Sequence, residues 1–181
     1  MKNSSLSLTA QTALLLVLLA VGIGSRFLPH PPSATALTAV LFAGALYLRP
    51  RFTIALAVLL LLWSDMTLGS YELPVMASVY GSFLAIAGLG MWCACTKSTS
   101  GRVLMLAGSS VLFFLITNAA LWYFTPWYAK DLSGLMLSYT LGLPFLKNML
   151  IGDFFYTAVL LGAFSLVRHP RIVRSLSPYA A

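Results

Sequence analysis

Two aspartates, Asp65 and Asp153, lie inside long apolar stretches, where a carboxylate is a candidate for ligand binding or proton transfer. Only 13 residues separate Arg51 from Asp65, and 14 separate Asp153 from Arg168. In a helix that spacing places each carboxylate about 20 Å from a basic residue at one interface, in a hydrocarbon core about 30 Å thick. An ionised group at that depth is costly unless it faces protein, water or a counter-charge. We therefore expect both side chains to point into a helical bundle; a locally thinned bilayer would instead make them interfacial.

Three cationic or titratable side chains, Arg26, His30 and Lys147, fall at the depth of the two aspartates or above it. Amide and aromatic residues are concentrated on the same side: Tyr71, Tyr80, Asn118, Trp122, Tyr123, Trp127, Tyr128, Tyr139, Asn148 and Tyr156. An aromatic-lined cavity with a few converging polar groups is typical of a small-molecule site. The predicted substrate-binding residues are Arg26, His30, Asp65, Tyr80, Asn118, Trp122, Asn148 and Asp153. The alternative for any single Trp or Tyr is an anchor at the membrane interface.

Signals for other chemistry are weak. Cys93 and Cys95 form a Cys-x-Cys pair with no histidine nearby and no second pair, so a zinc site lacks ligands. We interpret both as reduced packing residues. The sequence contains no phosphate-binding loop and no metalloprotease or hydrolase motif. We expect no catalytic residue, metal or cofactor, and any ATP-driven work requires partner chains.

The elements that position these side chains must be membrane-spanning helices. The 181 residues are 60% hydrophobic and 8% charged, whereas soluble proteins have about 25% charged residues. The charge-free intervals predict an all-α polytopic membrane helical bundle in a single domain, 1–181, since each crossing needs about 20 residues. Six spans are expected, at 8–27, 33–48, 52–68, 73–95, 103–124 and 149–167. Glycines and a proline interrupt 131–148, which we interpret as a partly helical outer loop, with a seventh span as the alternative.

The basic residues orient the predicted bundle. With the N-terminus inside, eight basic residues fall on the cytoplasmic side and three on the outer side, which is the positive-inside asymmetry. We therefore predict a multi-pass protein of the bacterial cytoplasmic (inner) membrane with both termini in the cytoplasm. Topology and the anionic lipids of the bilayer account for the net charge of +7. No nucleic-acid partner is expected.

The N-terminal segment has a second interpretation. Lys2, an apolar stretch from Ala13 and the small residues at 22–25 also describe a cleaved signal peptide. Its removal would leave five spans and place the two ends of the chain on opposite sides of the membrane. The charge asymmetry would then be lost.

Several sequence motifs along the chain carry a family resemblance. The string Ser-Arg-Phe-Leu-Pro-His-Pro-Pro at 25–32 is followed by an Ala-rich motif at 39–45 and by Ser64-Asp65 with Leu68-Gly69. Further motifs lie at 79–82, at 113–118 with Trp122, at 134–135 with 144–145, and at 152–153. Together they resemble an uncharacterised bacterial membrane family related to the substrate-binding S components of energy-coupling factor (ECF) transporters. The resemblance covers about 25–165.

The resemblance implies an S-component-like bundle that binds a vitamin-like micronutrient at the outer face, under a lid of outer loops. Cobalamin is one candidate, because the family looks like a relative of the characterised cobalamin-type S components, although their cobalt-ligating cysteine has no counterpart here. The implied partner is an ECF coupling subunit with its ATPases. S components dock through Ala-x-x-x-Ala on the first helix, where this chain has Thr9 and Ala13.

Two other classes of function compete with uptake. A small membrane-embedded enzyme would use Asp65, His30 or Asp153 as acid and base. A structural or assembly subunit would use the outer polar cluster only to hold loops together. A stoichiometric small molecule in the purified protein would favour transport or catalysis over a structural role.

Overall fold

The apolar stretches fold into helices throughout the part of the chain that the structure describes. The computed structural model describes residues 7–69, 72–96 and 98–168. Within them lie six helices and no strand: α1 (Leu8–Gly24), α2 (Leu37–Tyr47), α3 (Pro50–Leu68), α4 (Leu73–Cys95), α5 (Thr99–Phe124) and α6 (Leu132–Arg168). The all-helical prediction is confirmed.

Polar side chains and prolines fix where these helices begin. The hydroxyls of Ser7 and Ser98 accept from the backbone N–H groups of Ala10 and Gly101 at 3.2 Å, which caps α1 and α5. Pro50 stands at the start of α3, where its missing N–H has no cost. Before α6, the Asp131 carboxylate accepts from the N–H of Gly134 and the hydroxyl of Ser133. These bonds hold the pKa of Asp131 below its ordinary value.

Four of the helices, α3 to α6, are long and apolar enough to cross a membrane. This agrees with a multi-pass membrane protein. The other two predicted spans are shorter than expected, because α1 has 17 residues and α2 has 11. At ~1.5 Å per residue α2 is only about 16 Å long, and it begins at Leu37 rather than at Ser33.

Residues 132–148 are helical throughout, where the sequence predicted an outer loop that is only partly helical. They form the first part of α6, which continues through Pro144 to Arg168 without a break. A proline inside a membrane helix is tolerated because neighbouring groups compensate for the lost bond. Here the segment packs along α5, with hydrogen bonds from Ser138 and Tyr139 to carbonyls of that helix.

The short helix α2 is the centre of the bundle. Every residue from Leu37 to Ala45 is buried, and α2 packs against each of the other five helices. Close approach is possible because the helices meet at small residues: Gly90 of α4 lies so near Ala45 that an added Cβ would stand 2.8 Å from the alanine Cβ. The connection from α1 to α2 also enters the bundle, since Ala34 and Ala36 are buried.

Candidate functional site

A polar cavity of about 340 Å³ lies where α1 ends, α2 begins and α3 ends. Short connections between successive helices bring these three ends to one side of the bundle. The cavity is lined by Arg26, His30, Ser33, Thr35, Leu37, Thr38, Leu61, Ser64, Asp65, Val79, Phe83, Phe113, Met149 and Asp153. Four predicted site residues, Arg26, His30, Asp65 and Asp153, therefore line one cavity.

Asp65 lies near the end of α3 and is half-buried. Tyr80 of α4 donates its hydroxyl hydrogen to Asp65 Oδ2 at 2.6 Å, a short, charge-assisted hydrogen bond if the carboxylate is ionised. Gly69 ends the helix with a positive φ of 87°, a conformation that glycine adopts without strain. The predicted residue Tyr80 thus acts on the cavity through Asp65, without lining it.

Asp153 belongs to the middle of α6 and is 1% exposed. Ser110 of α5 donates to its Oδ2 at 2.6 Å. The other oxygen, Oδ1, is buried without a hydrogen-bond partner among the described residues, although the Thr38 hydroxyl lies beside the carboxylate. An unsatisfied acceptor of this kind is uncommon and has a substantial energetic cost, so a ligand that donates to it would gain affinity.

Arg26 and His30 come from the connection between α1 and α2. The hydroxyl of Ser25 donates to Gly22 O at 2.8 Å and accepts from the Ala36 N–H at 3.2 Å, which ties the two ends of this connection together. The Nδ1 atom of His30 lies 2.9 Å from the Pro31 carbonyl oxygen. Since a carbonyl only accepts, Nδ1 carries the hydrogen, and Nε2 of a neutral ring is then an acceptor.

Two apolar cavities, of about 360 and 330 Å³, adjoin the polar cavity. The first shares Ser33, Phe113 and Met149 with it, and the second shares Val79 and Phe113. The side chains that line the first are mostly aromatic and aliphatic: Phe113, Phe114, Leu121, Trp127, Tyr128, Leu141, Phe145, Leu146 and Met149. Phe113 of α5 therefore stands where all three cavities meet.

The remaining predicted site residues are more dispersed. Asn118 lines the first apolar cavity, with its amide bonded to the Phe114 carbonyl. Trp122 donates to the Ala129 carbonyl at 2.8 Å and so holds the α5–α6 connection. Asn148 donates to the Pro32 carbonyl at 3.1 Å and lines a smaller cavity of about 200 Å³ beside His30. The two predicted docking residues, Thr9 and Ala13, are both exposed on α1.

Sequence reasoning missed the hydroxyls that surround Asp153. Ser110 and Thr38 are buried inside apolar helices, and hydroxyl groups in membrane helices often bond across to a neighbouring helix. This tendency of buried hydroxyl groups is the feature of the sequence that could have predicted Ser110 and Thr38. Among the described residues no three of His, Cys, Asp and Glu are grouped so that they could hold a metal ion. Cys93 is buried and Cys95 is exposed, both with free thiols.

The sequence profile of a family of unknown function (DUF6580) matches residues 6–176. No curated protein and no solved structure matches the chain.

Proposed function

Since the chain belongs to this family of unknown function, DUF6580, we propose a function from its site: a membrane subunit that binds a small, vitamin-like micronutrient for uptake. The observation that carries the proposal is the polar cavity itself. Arg26, His30, Asp65 and Asp153 line one space of about 340 Å³ within an otherwise apolar bundle. Ionisable groups inside a membrane protein mark binding sites and transport pathways, and the volume is within the range of small-molecule pockets.

The size of the cavity favours a ligand smaller than cobalamin. A volume of about 340 Å³ is near the lower end of the roughly 300–1,000 Å³ of drug-sized pockets. A corrin macrocycle with its attached nucleotide would need all three cavities opened into one. The ligand that we propose fills the polar cavity and extends into one apolar neighbour.

The proposed orientation places this cavity toward the outside of the bacterial inner membrane, with both termini in the cytoplasm. The connections on the opposite side of the bundle contain Arg49 and Arg51, at the start of α3, and Arg102, in the first turn of α5. Basic residues at those ends favour a cytoplasmic location. In this orientation Thr9 and Ala13, near the start of α1, are available to an ECF coupling subunit with its ATPases.

Mass spectrometry and absorbance of the protein, purified in mild detergent without dialysis, test the proposal. We expect one small molecule at a molar ratio of about one, recovered chemically unchanged after incubation. Asp65→Asn should retain less of it, whereas Tyr123→Phe, a change at a tyrosine that is 63% exposed, should retain as much as the wild type. A protein without any bound molecule would contradict the proposal, and so would a molecule that is converted to product, which would indicate an enzyme.

A further inference from the structure

The polar cavity is lined by two groups that attract anions. They are the Arg26 guanidinium and the N-terminus of α2, where Leu37 and Thr38 line the space. The first N–H of α2 with a partner inside the helix is that of Val40, which donates to the Ala36 carbonyl at 2.8 Å. The N–H groups of 37–39 therefore lack intrahelical acceptors, and no side chain caps this end. The start of a helix carries about half a positive charge.

The short helix makes this N-terminus available at depth. Helix α2 has only 11 residues, and the connection before it is buried at Ala34 and Ala36. The helix therefore begins inside the bundle instead of at its surface. Interrupted helices in transporters present their N-termini to anionic groups of the substrate in the same way. Non-helical backbone at this depth is stable only where it is buried in protein or lines a cavity.

The cavity also contains two acidic side chains. Asp65 of α3 and Asp153 of α6 line it together with Arg26 and the start of α2. Asp153 is 1% exposed and its Oδ1 has no hydrogen-bond partner among the described residues. This unsatisfied acceptor is independent of the helix end and calls for a hydrogen-bond donor from a ligand. The cavity therefore offers both a cationic group and acidic groups to a ligand.

We propose that the ligand is a zwitterion, with a carboxylate toward Arg26 and the α2 N-terminus, a protonated amine toward Asp153 and Asp65, and an apolar, aromatic body. The body extends past Phe113 into the apolar cavity lined by Phe114, Trp127 and Tyr128. An aromatic amino acid or a compound of similar size has this distribution of charge. The inference rests on the proposed function, because it names the class of molecule that the same site binds.

Equilibrium dialysis of the purified protein against matched probes tests this inference. One equimolar mixture holds L-phenylalanine, 3-phenylpropionate, 2-phenylethylamine and 3-phenylpropanamide; a second holds the four corresponding indole compounds, L-tryptophan, indole-3-propionate, tryptamine and indole-3-propanamide. We expect the zwitterion of at least one series to be retained at least tenfold more than both singly charged forms. In Asp153→Asn the zwitterion should fall to the level of the acid, and in Arg26→Gln to the level of the amine.

Ser109→Ala is the matched control, since Ser109 adjoins Ser110, is equally buried and bonds only within its own helix. Its retention pattern should equal that of the wild type. The comparison within the wild type decides the question even if a charge variant fails to fold. Equal retention of an acid or an amine would overturn the zwitterion, as would no retention of any probe. If a co-purified molecule of another charge class were present, the inference would fail while the proposed function stood; with no bound molecule at all, both would fail.

Discussion

Asp65 and Asp153 line the same cavity from two helices, and in each a hydroxyl group donates to one carboxylate oxygen. The two carboxylates differ in how deeply they are buried. Tyr80 reaches a half-buried carboxylate near a helix end, whereas Ser110 reaches one that is buried in the middle of α6. A carboxylate with a fixed donor on one oxygen can direct the other oxygen toward a ligand.

Asp65→Asn should weaken binding of the co-purified ligand by ~1–3 kcal/mol, because it removes the charge from a hydrogen-bonded acceptor. Tyr80→Phe removes only the donor at 2.6 Å and should cost about 0.5–1.5 kcal/mol. Calorimetry gives the dissociation constants, and Tyr123→Phe is the control. Unchanged affinity in both variants, together with a lower melting temperature, would show that this pair has only a structural role.

Ser110→Ala should reduce the affinity for the co-purified ligand. It leaves Oδ2 of Asp153 without its donor at 2.6 Å and so allows the carboxylate to turn. A loss of about 1 kcal/mol of binding free energy is expected for one hydrogen bond. Ser109→Ala, one residue earlier, should change neither affinity nor melting temperature by a comparable amount. Equal effects of the two substitutions would indicate that buried hydroxyls on α5 contribute only to helix packing.

At this scale, the sequence predicted the ionisable residues and missed the hydroxyls. Asp65 and Asp153 could be predicted because charged groups in apolar segments require an internal environment. Arg26 and His30 could be predicted because counting residues along the helices places them near the same depth. Ser109 and Thr117 donate to carbonyls of their own helix, and the Ser110 hydroxyl also lies 3.3 Å from such a carbonyl, that of Leu106. Only three-dimensional packing distinguishes the one that also reaches across to α6.

The element that organises the site is the connection between α1 and α2. It can approach α6 closely at Gly152, since a Cβ at that position would lie 3.0 Å from Ala34 Cα and 3.1 Å from Ala34 C. These are backbone atoms, which cannot move aside cheaply. The position of Leu37 and Thr38 at the cavity thus depends on a glycine in another helix.

Gly152→Ala should lower stability by ~1–3 kcal/mol through overpacking and should weaken ligand binding by shifting the start of α2. Gly162→Ala is the control in the same helix, because no atom lies within 4 Å of the added Cβ and alanine favours a helix by up to about 1 kcal/mol. Melting temperature and dissociation constant should be measured for both. A Gly152 variant with normal affinity would show that the connection does not determine the site.

The helix boundaries show where a sequence predicts the ends of a helix correctly and where it does not. The bounds of α4 agree with the prediction at both ends, because Pro74 and the charge-free interval mark them. Residues 131–148, predicted as a partly helical outer loop, are helical from Leu132 onward, because Gly134 and Gly142 serve close packing instead of interrupting the helix. Gly142 leaves room for Asn118 and Phe114, whose side-chain atoms would lie 2.7 Å from an added Cβ.

For the whole molecule, the proposed orientation can be tested at its two cysteines. Cys93 and Cys95 lie at the end of α4, but only Cys95 is exposed. If that end faces the cytoplasm, a membrane-impermeant maleimide should label Cys95 in inside-out vesicles and not in right-side-out vesicles. Cys95→Ser removes the signal and Cys93→Ser preserves it. Labelling from the outer side would reverse the orientation and place the polar cavity toward the cytoplasm.

The central position of α2 also has a consequence for synthesis. An 11-residue helix with an irregular connection before it has backbone polar groups that lipid cannot satisfy, so α2 is unstable in the bilayer until its neighbours surround it. Four of those neighbours, α3 to α6, are translated later, and α6 also supplies Gly152 against Ala34. The surrounding helices therefore have to be inserted before α2 is stably packed. A nascent chain arrested before α6 should be a substrate for membrane proteases.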